Sequence, residues 1–303
     1  MNQSFARKEK MNYQSVFRAG LFDNKRIIVT GGGSGIGRCT AHELASLGAW
    51  VALVGRKPEK LIAVADEIEN LYGRRPTCHI CDIRDESQVS AVVTSVLDGG
   101  APIDGLVNNA GGQFRAHMKD ISANGFDAVV RNNLTGGFLM ARECFKQSMV
   151  EHGGNIVNIL ADMWRSMPGM AHSGAARAGM LNLTETAAVE WAGAGVRVNA
   201  VAPGYIASSG LANYPEKDRA YIAKSSSWVP LKRFGTEAEI SAAIVFLLSE
   251  AAAFISGSCI RVDGAAPNAR LDWELPDHQR SKAFHGFPDE TKLDFLDRKD
   301  TGS

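Results

Sequence analysis

The feature that most limits how this chain folds is the regular alternation of two hydrophobic patterns along it. Short β-branched runs give way to longer amphipathic stretches: Arg26–Thr30 then Gly35–Leu47, Trp50–Val54 then Pro58–Tyr72, Thr77–Cys81 then Glu86–Leu97. The first kind predicts strands and the second helices, and their alternation is that of a parallel sheet with helical crossovers. The pattern continues through Ile103–Val107, a long helix around Phe126–Met149, Asn155–Ile159, a helix around Gly174–Ala192, Arg197–Val201 and Cys259–Val262. An α/β, doubly wound, seven-stranded parallel sheet is expected. No linker-like change of composition interrupts residues 21–264, which predicts a single domain.

Charge and cysteine usage narrow the partners. The 33 Lys and Arg balance the 33 Asp and Glu, so nothing draws the chain to nucleic acid or an anionic membrane, and a small-molecule partner is expected. No apolar stretch reaches membrane-spanning length. Five cysteines (Cys39, Cys78, Cys81, Cys144, Cys259) follow no framework spacing, which predicts a reducing compartment and a cytoplasmic location. Cys78 and Cys81 lie three apart in a β-like segment, where side chains point to opposite faces, so no metal is expected. Residues 1–20, with Arg7, Lys8, Glu9, Lys10 and Arg18, read as an N-terminal arm, either disordered or contacting another subunit, rather than a transit peptide. Residues 265–303 lose periodicity and collect charges, Pro276 and Pro288, and read as an extended tail. Trp273, Phe284, Phe287 and Phe295 give that tail apolar anchors, leaving two readings: disorder, or a flap over a neighbouring subunit or the substrate mouth.

Thr30-Gly31-Gly32-Gly33-Ser34-Gly35-Ile36-Gly37 sits between the first strand and the first helix. Glycines there permit a tight turn and close backbone approach to a pyrophosphate, and the helix N-terminus offers free N–H groups and a favourable dipole. Gly31, Ser34, Gly35, Ile36 and Gly37 are therefore the expected contacts of a dinucleotide. Where an NAD site carries Asp or Glu after the second strand, this chain has Gly55-Arg56-Lys57. A guanidinium pairs well with a 2′-phosphate, so NADP(H) is the expected cofactor, with Arg56 and Lys57 as its contacts; a solvated surface arginine is the competing reading.

Together these motifs resemble the short-chain dehydrogenase/reductase family, over Leu21 to Gly264 in unbroken order. Asp82-Ile83 falls where that family contacts adenine, and Asn108-Asn109-Ala110-Gly111 matches the motif after its fourth strand. Asn133 matches its mid-helix asparagine, and Pro203-Gly204, with Ile206 close behind, matches the turn that seats the nicotinamide carboxamide. The resemblance implies a Rossmann fold with Asp82, Ile83, Asn109, Ala110, Gly111, Arg177, Pro203, Gly204 and Ile206 around the cofactor. It also implies a homotetramer or homodimer packed through the helices around Phe126–Met149 and Gly174–Ala192. Within the family, Asn108–Phe114, Gly153–Ile159 and His172–Gly179 are similar to trans-2-enoyl-CoA and 2,4-dienoyl-CoA reductases; bacterial citronellol-type dehydrogenases are similar too.

The departures carry the chemistry. Most of the family pairs a Tyr with a Lys four residues on, so that the cation lowers the phenol pKa. No Tyr-x-x-x-Lys occurs in this chain. Aligned on the helix start, the family's Ser, Tyr and Lys positions hold Ala161, Ser173 and Arg177, and the second Tyr and Lys of the enoyl-CoA reductases are replaced by Leu181 and Glu185. Exchanging a proton with an alcohol or ketone oxygen needs a group that titrates near neutrality. Ser173 has no evident base, and Arg177 does not deprotonate. Conjugate reduction asks for less: donors to an enolate oxygen, which Ser173 and Asn133 supply, and a fixed cation, Arg177.

His172 and Asp162 are the ionisable candidates beside these residues, against the plainer readings of a packed helix-start histidine and a solvated loop carboxylate. Met163, Trp164, Met167 and Met170 line an apolar channel or pack ordinarily. Lys217, Arg219 and Lys224 meet coenzyme A phosphates or solvent. Three functions stay open in this order: an NADPH-dependent reductase of enoyl or dienoyl thioesters; an NADP-linked dehydrogenase of a hydrophobic or terpenoid alcohol such as citronellol; and a cofactor-binding subunit without turnover.

Overall fold

The computed structural model describes residues 12–270 and 272–297; the charged start with Arg7, Lys8, Glu9 and Lys10 lies outside them. The elements are β1 (Arg26–Thr30), α1 (Gly35–Ser46), β2 (Trp50–Gly55), α2 (Pro58–Tyr72), β3 (Thr77–Ile80), α3 (Glu86–Leu97), β4 (Gly105–Asn108), α4 (Ala123–Val130), α5 (Gly136–Cys144), α6 (Val150–His152), β5 (Gly154–Ile159), α7 (Ala171–Glu190), β6 (Val196–Pro203), α8 (Glu216–Lys224), α9 (Glu237–Leu248), β7 (Cys259–Val262) and α10 (Asp294–Asp297). The strands form one parallel seven-stranded sheet in the order β3-β2-β1-β4-β5-β6-β7, the expected Rossmann-like architecture. No helix among the described residues is long and apolar enough to cross a membrane.

The strands read as nearly continuous apolar runs because both faces of the sheet are covered. Alternate residues feed two cores. Ile27, Val29, Leu53, Val107 and Val201 pack with Leu44 of α1 and Ile244 of α9. Ile28, Val54, Leu106 and Ile156 pack with Val93 of α3 and Met140 of α5 on the other face. Fully burying each such side chain contributes about 1.5–3 kcal/mol. The order reverses between β1 and β4, whose crossovers leave to opposite faces, and this opens a crevice at their C-terminal ends.

The long helix expected around 126–149 is present but irregular. A π-helical turn, Arg131–Thr135, joins α4 to α5, and a second, Phe145–Met149, joins α5 to α6. Such turns widen the helix and recur at functional sites, and Asn133 sits in the first.

Residues at both ends of the domain pack against their own chain. Tyr13 is buried, donates to Glu43 Oε2 at 3.0 Å and stacks on Phe287 at 6.0 Å. Ser15 and Ser241 donate to the same carboxylate at 2.8 and 2.5 Å, so the fully buried Glu43 ties the N-terminal arm and α9 to α1. Burial pushes its pKa up, and the hydroxyl donors pull against that. The tail crosses beside α9 and α1: Thr236 Oγ1 donates to the Phe284 carbonyl at 2.8 Å, Arg38 pairs with Asp289, and Thr291 donates to Glu237 at 2.9 Å. Near the last of the described residues, Phe295 lies under the Arg219 guanidinium of α8. Of the four expected anchors, Phe287 is 2% exposed and Trp273 is 72% exposed. Phe287→Ala should therefore cost about 3 kcal/mol in urea denaturation, the scale of deleting a buried ring. An unchanged midpoint would show that the tail adds nothing to the fold.

Candidate active site

The crevice at the β1–β4 reversal is built by one hydroxyl. Thr30 Oγ1 donates to the Val107 carbonyl at 3.2 Å and accepts from the N–H groups of Asn109 and Ala110 at 3.0 and 2.9 Å. Asn109 Nδ2 returns a bond to the Thr30 carbonyl at 3.0 Å. The start of the glycine loop and the Asn108–Gly111 segment are thereby locked side by side. Gly31 and Gly35 adopt φ of +66° and +58°, a left-handed conformation that other residues adopt only under strain. At Gly37 a Cβ would stand 2.4 Å from the Gly31 carbonyl, so any side chain would force the loop open.

Helices α3 and α9 are capped by Asp85 and by a Thr236–Glu239 capping box. By contrast α1, α2 and α7, which follow β1, β2 and β5, begin at Ser34, Lys57 and Met170 without a side-chain cap. Their dipoles face the same end of the sheet and favour an anion there, although in α7 the Ser173 N–H is taken by His172 Nδ1. An uncapped α1 behind a glycine turn that excludes side chains fits a dinucleotide pyrophosphate. Arg56 and Lys57 are exposed at the end of β2. Asp82 is taken up by Arg84, whose Nε donates at 2.8 Å and holds the carboxyl down to about 2. Ile83 turns its side chain into the core, over Gly136. Of the two residues expected at the adenine, neither offers a free side chain.

The centre of the site is Arg177, a buried cation. Its terminal nitrogens donate to the Ile159 carbonyl at 2.6 Å and to Asn133 Oδ1 at 2.7 Å, and Nε has no partner among the described residues. Burial pulls its pKa to about 10, which leaves it cationic at neutral pH. A Cβ on Gly111 would lie 2.7 Å from both the guanidinium and Asn133 Oδ1, so the glycine makes room for the pair. Asn133 also grips Gly112 from both sides: Nδ2 donates to its carbonyl at 2.6 Å, and Oδ1 accepts its N–H at 3.1 Å.

Ser173 is fully buried on α7 and donates to Gln113 Oε1 at 2.5 Å. His172 follows the packed reading: its Nδ1 accepts the Ser173 N–H at 2.8 Å, Phe114 meets the ring edge-on at 4.5 Å, and burial lowers its pKa. Its Nε2 is buried without a hydrogen-bond partner among the described residues.

Asp162 behaves differently from a solvated loop carboxylate. Its N–H donates to the Pro203 carbonyl at 2.9 Å, and Oδ1 is buried without a partner among the described residues. Burial first, and the neighbouring Asp263 second, raise its pKa to about 6. Gly204 bonds to the Val262 carbonyl at 3.0 Å, and Ile206 is buried against Gly235. Met163 and Trp164 pack against the cluster of Leu160 and Met180, Met167 covers Gly174, and Met170 accepts from Tyr214 at 3.8 Å. Lys217, Arg219 and Lys224 are exposed on α8.

Sequence reasoning assigned no role to Thr30, Gln113, Tyr214 or Asp263. Thr30 and Gln113 stood inside the quoted motifs, but their partners lie 77 and 60 residues away in the chain. Tyr214 and Asp263 follow no local pattern that would have marked them.

The profile of the family described as enoyl-(acyl carrier protein) reductase matches residues 31–265. A Bacillus subtilis (strain 168) protein named "Probable 2,4-dienoyl-CoA reductase [(2E)-enoyl-CoA-producing]" is 37% identical over 245 residues, 80% of this chain and 96% of its own. Among solved structures, the citronellol catabolism dehydrogenase AtuB of Pseudomonas aeruginosa PAO1 is 58% identical with a TM-score of 0.76, over 84% of this chain and 100% of that one. A Beutenbergia cavernae protein described as an NAD(P)-dependent gluconate 5-dehydrogenase, with NADP bound at low occupancy, is 32% identical with a TM-score of 0.75, over 83% and 100%. With the glycine loop and the strand order in agreement, the chain belongs to the short-chain dehydrogenase/reductase family of NAD(P)-dependent oxidoreductases.

Proposed function

We propose that the protein is an NADP(H)-dependent reductase that saturates the conjugated double bond of an enoyl or dienoyl thioester. One observation carries this reading: the site gathers a buried cation and hydroxyl and amide groups around Ser173, in a chain that has no Tyr-x-x-x-Lys. Such a site stabilises negative charge on an oxygen but is poorly equipped to protonate an alkoxide. The cofactor, when bound, supplies the hydride that reaches the β-carbon. Ser173 and the uncapped start of α7 stabilise the enolate oxygen, and solvent protonates the α-carbon. Arg177, positioned by Asn133, whose own amide hydrogens go to the Gly112 and Val129 carbonyls, holds the nicotinamide ribose, while Arg56 and Lys57 meet the 2′-phosphate. The exposed cations of α8 suit coenzyme A phosphates, and the dienoyl-CoA reductase name of the B. subtilis relative supports a thioester. The working form in this reading is a homodimer or homotetramer.

The 58% identity to AtuB favours a second reading, oxidation of a hydrophobic terpenoid alcohol such as citronellol. That reaction needs a proton acceptor. Asp162, with a pKa of about 6, is the group in the site suited to it at neutral pH.

Purified protein with NADPH, followed by nicotinamide absorbance against enoyl-CoAs, dienoyl-CoAs and citronellal, separates the two. Thioester turnover with deuterium from labelled NADPH at the β-carbon and from D₂O at the α-carbon is expected; turnover of citronellal alone would overturn the first reading. NADH in the same assay should bind at least about tenfold more weakly, or about 1.4 kcal/mol, and Arg56→Asp should abolish the difference.

Arg177→Ala should weaken NADPH binding and turnover together. Ser173→Ala should lower turnover by about 10²–10³, the worth of one oxyanion donor, with NADPH affinity unchanged. Loss of NADPH affinity in Ser173→Ala would place that hydroxyl on the cofactor instead.

The raised pKa of Asp162 gives a signed stability prediction. A carboxyl whose pKa is higher folded than unfolded stabilises fully below its ordinary value of 3.8, and that contribution is lost as pH rises through about 6. Between pH 4 and 7 the Tm of the wild type should therefore fall relative to that of Asp162→Asn. Parallel curves would show that the carboxyl is not perturbed.

A further inference from the structure

Tyr214 lies between the short 3₁₀ turn Leu211–Asn213 and Pro215, which opens α8, and its contacts with Gln113 and Met170 bring it to the site. Its hydroxyl closes a directed chain of hydrogen bonds. Ser173 Oγ donates to Gln113 Oε1 at 2.5 Å, Gln113 Nε2 donates to Tyr214 Oη at 3.3 Å, and Tyr214 in turn donates to Met170 Sδ at 3.8 Å. The direction matters. The hydroxyl hydrogen of Ser173 must leave an amide carbonyl before it can turn to an oxyanion, whereas that of Tyr214 leaves only a thioether, a weak acceptor. An oxygen gaining negative charge is a far better acceptor and would take that hydrogen from the sulfur.

The relay is held on both sides. Asn133 clamps Gly112, the neighbour of Gln113, through two bonds, and Ala116 N–H donates to the Gly169 carbonyl at 2.9 Å, tying the same segment to the loop that carries Met170. Met170 is the uncapped N-cap of α7, so the hydroxyl sits where the helix dipole already favours negative charge.

We propose that Tyr214 is a catalytic residue whose hydroxyl donates a hydrogen bond to the substrate's carbonyl oxygen, and that Gln113 is the positioning residue linking it to Ser173. A phenol brought in from the segment between β6 and α8 thus stands in for the one that α7 lacks. No net proton transfer to oxygen is required: the hydrogen bond strengthens as the β-carbon receives hydride, and the α-carbon takes its proton from solvent. The assignment rests on the conjugate-reduction reading only for the identity of the oxygen, since an alcohol or aldehyde oxygen would occupy the same place.

Tyr214→Phe keeps the ring and removes the hydroxyl. With whichever substrate of the panel the wild type turns over, kcat should fall about 10²–10³-fold while the NADPH dissociation constant, read by nucleotide fluorescence, stays within twofold. Gln113→Ala should lower kcat without changing NADPH affinity. A mere latch between this segment and the Gln113 and Met170 loops would instead raise KM and leave kcat within threefold of wild type, and that result overturns the proposal. Acetoacetyl-CoA added to the NADP⁺-loaded protein gives a readout free of turnover: the wild type should increase the near-ultraviolet enolate band and Tyr214→Phe should not. Equal bands in the two proteins also overturn it; no band in either removes the thioester reading instead, and the kcat comparison then decides on Tyr214. Turnover of alcohols in place of thioesters would remove the conjugate-reduction reading and leave the comparison of kcat values to decide on Tyr214.

Discussion

A guanidinium buried without a carboxylate is the constraint around which this site is arranged. Arg177 keeps its charge at neutral pH although burial works against it, and its bonds run to a backbone carbonyl and an amide oxygen rather than to an acid. Leaving a buried cation short of partners is costly, so every neighbour has to be placed for it. Gly111 contributes the space, the π-helical turn sets Asn133 at the needed height, and β5 presents the Ile159 carbonyl. A carboxylate in place of Asn133 would neutralise the charge that a cofactor ribose and a developing oxyanion are suited to use.

The same economy of partners runs through the rest of the domain. Asn108 Nδ2 bonds to the Gly137 carbonyl at 3.0 Å and to Asn158 Oδ1 at 2.9 Å, and Asn158 passes the chain to Thr184 at 2.9 Å. This buried polar ladder fixes α5 and α7 against β4 and β5, and so fixes Asn133 and Ser173 relative to each other. On the far side, Glu43 gathers three hydroxyl donors from distant segments, and Phe287 lies against Tyr13 while Arg38 stacks over it at 4.9 Å. The tail therefore runs from Arg38 of α1 to Arg219 of α8.

The fold was legible because its signal is local. Alternating apolar runs and helical stripes, with glycines at the first turn, appear in the chain itself, and the strands found at Arg26–Thr30 and Cys259–Val262 lie where those runs end. The irregularity of the long helix was not legible, because a π turn depends on the bonds Asn133 makes with Gly112 and Arg177 rather than on its own neighbours. Asp82 and Ile83 were placed at the right turn, but their side chains were decided by Arg84 and Gly136. His172 and Asp162 were both ionisable candidates in the sequence; only packing turned the Nδ1 of one to the Ser173 N–H and made the other a carboxyl with a pKa of about 6.

What the sequence alone determined was the parallel α/β sheet, the dinucleotide turn, the absence of Tyr-x-x-x-Lys and the residues Asn133, Ser173 and Arg177. These follow from hydrophobic period, glycine chemistry and residue identity at known spacing. Tertiary structure decided which groups share the site. Gln113 reaches Ser173 across 60 residues and Tyr214 across 101, and Phe287 finds Tyr13 near the other end of the chain. Hydrogen bonds and ring contacts act over a few ångströms in space, and only the folded chain brings residues so distant in sequence within that range.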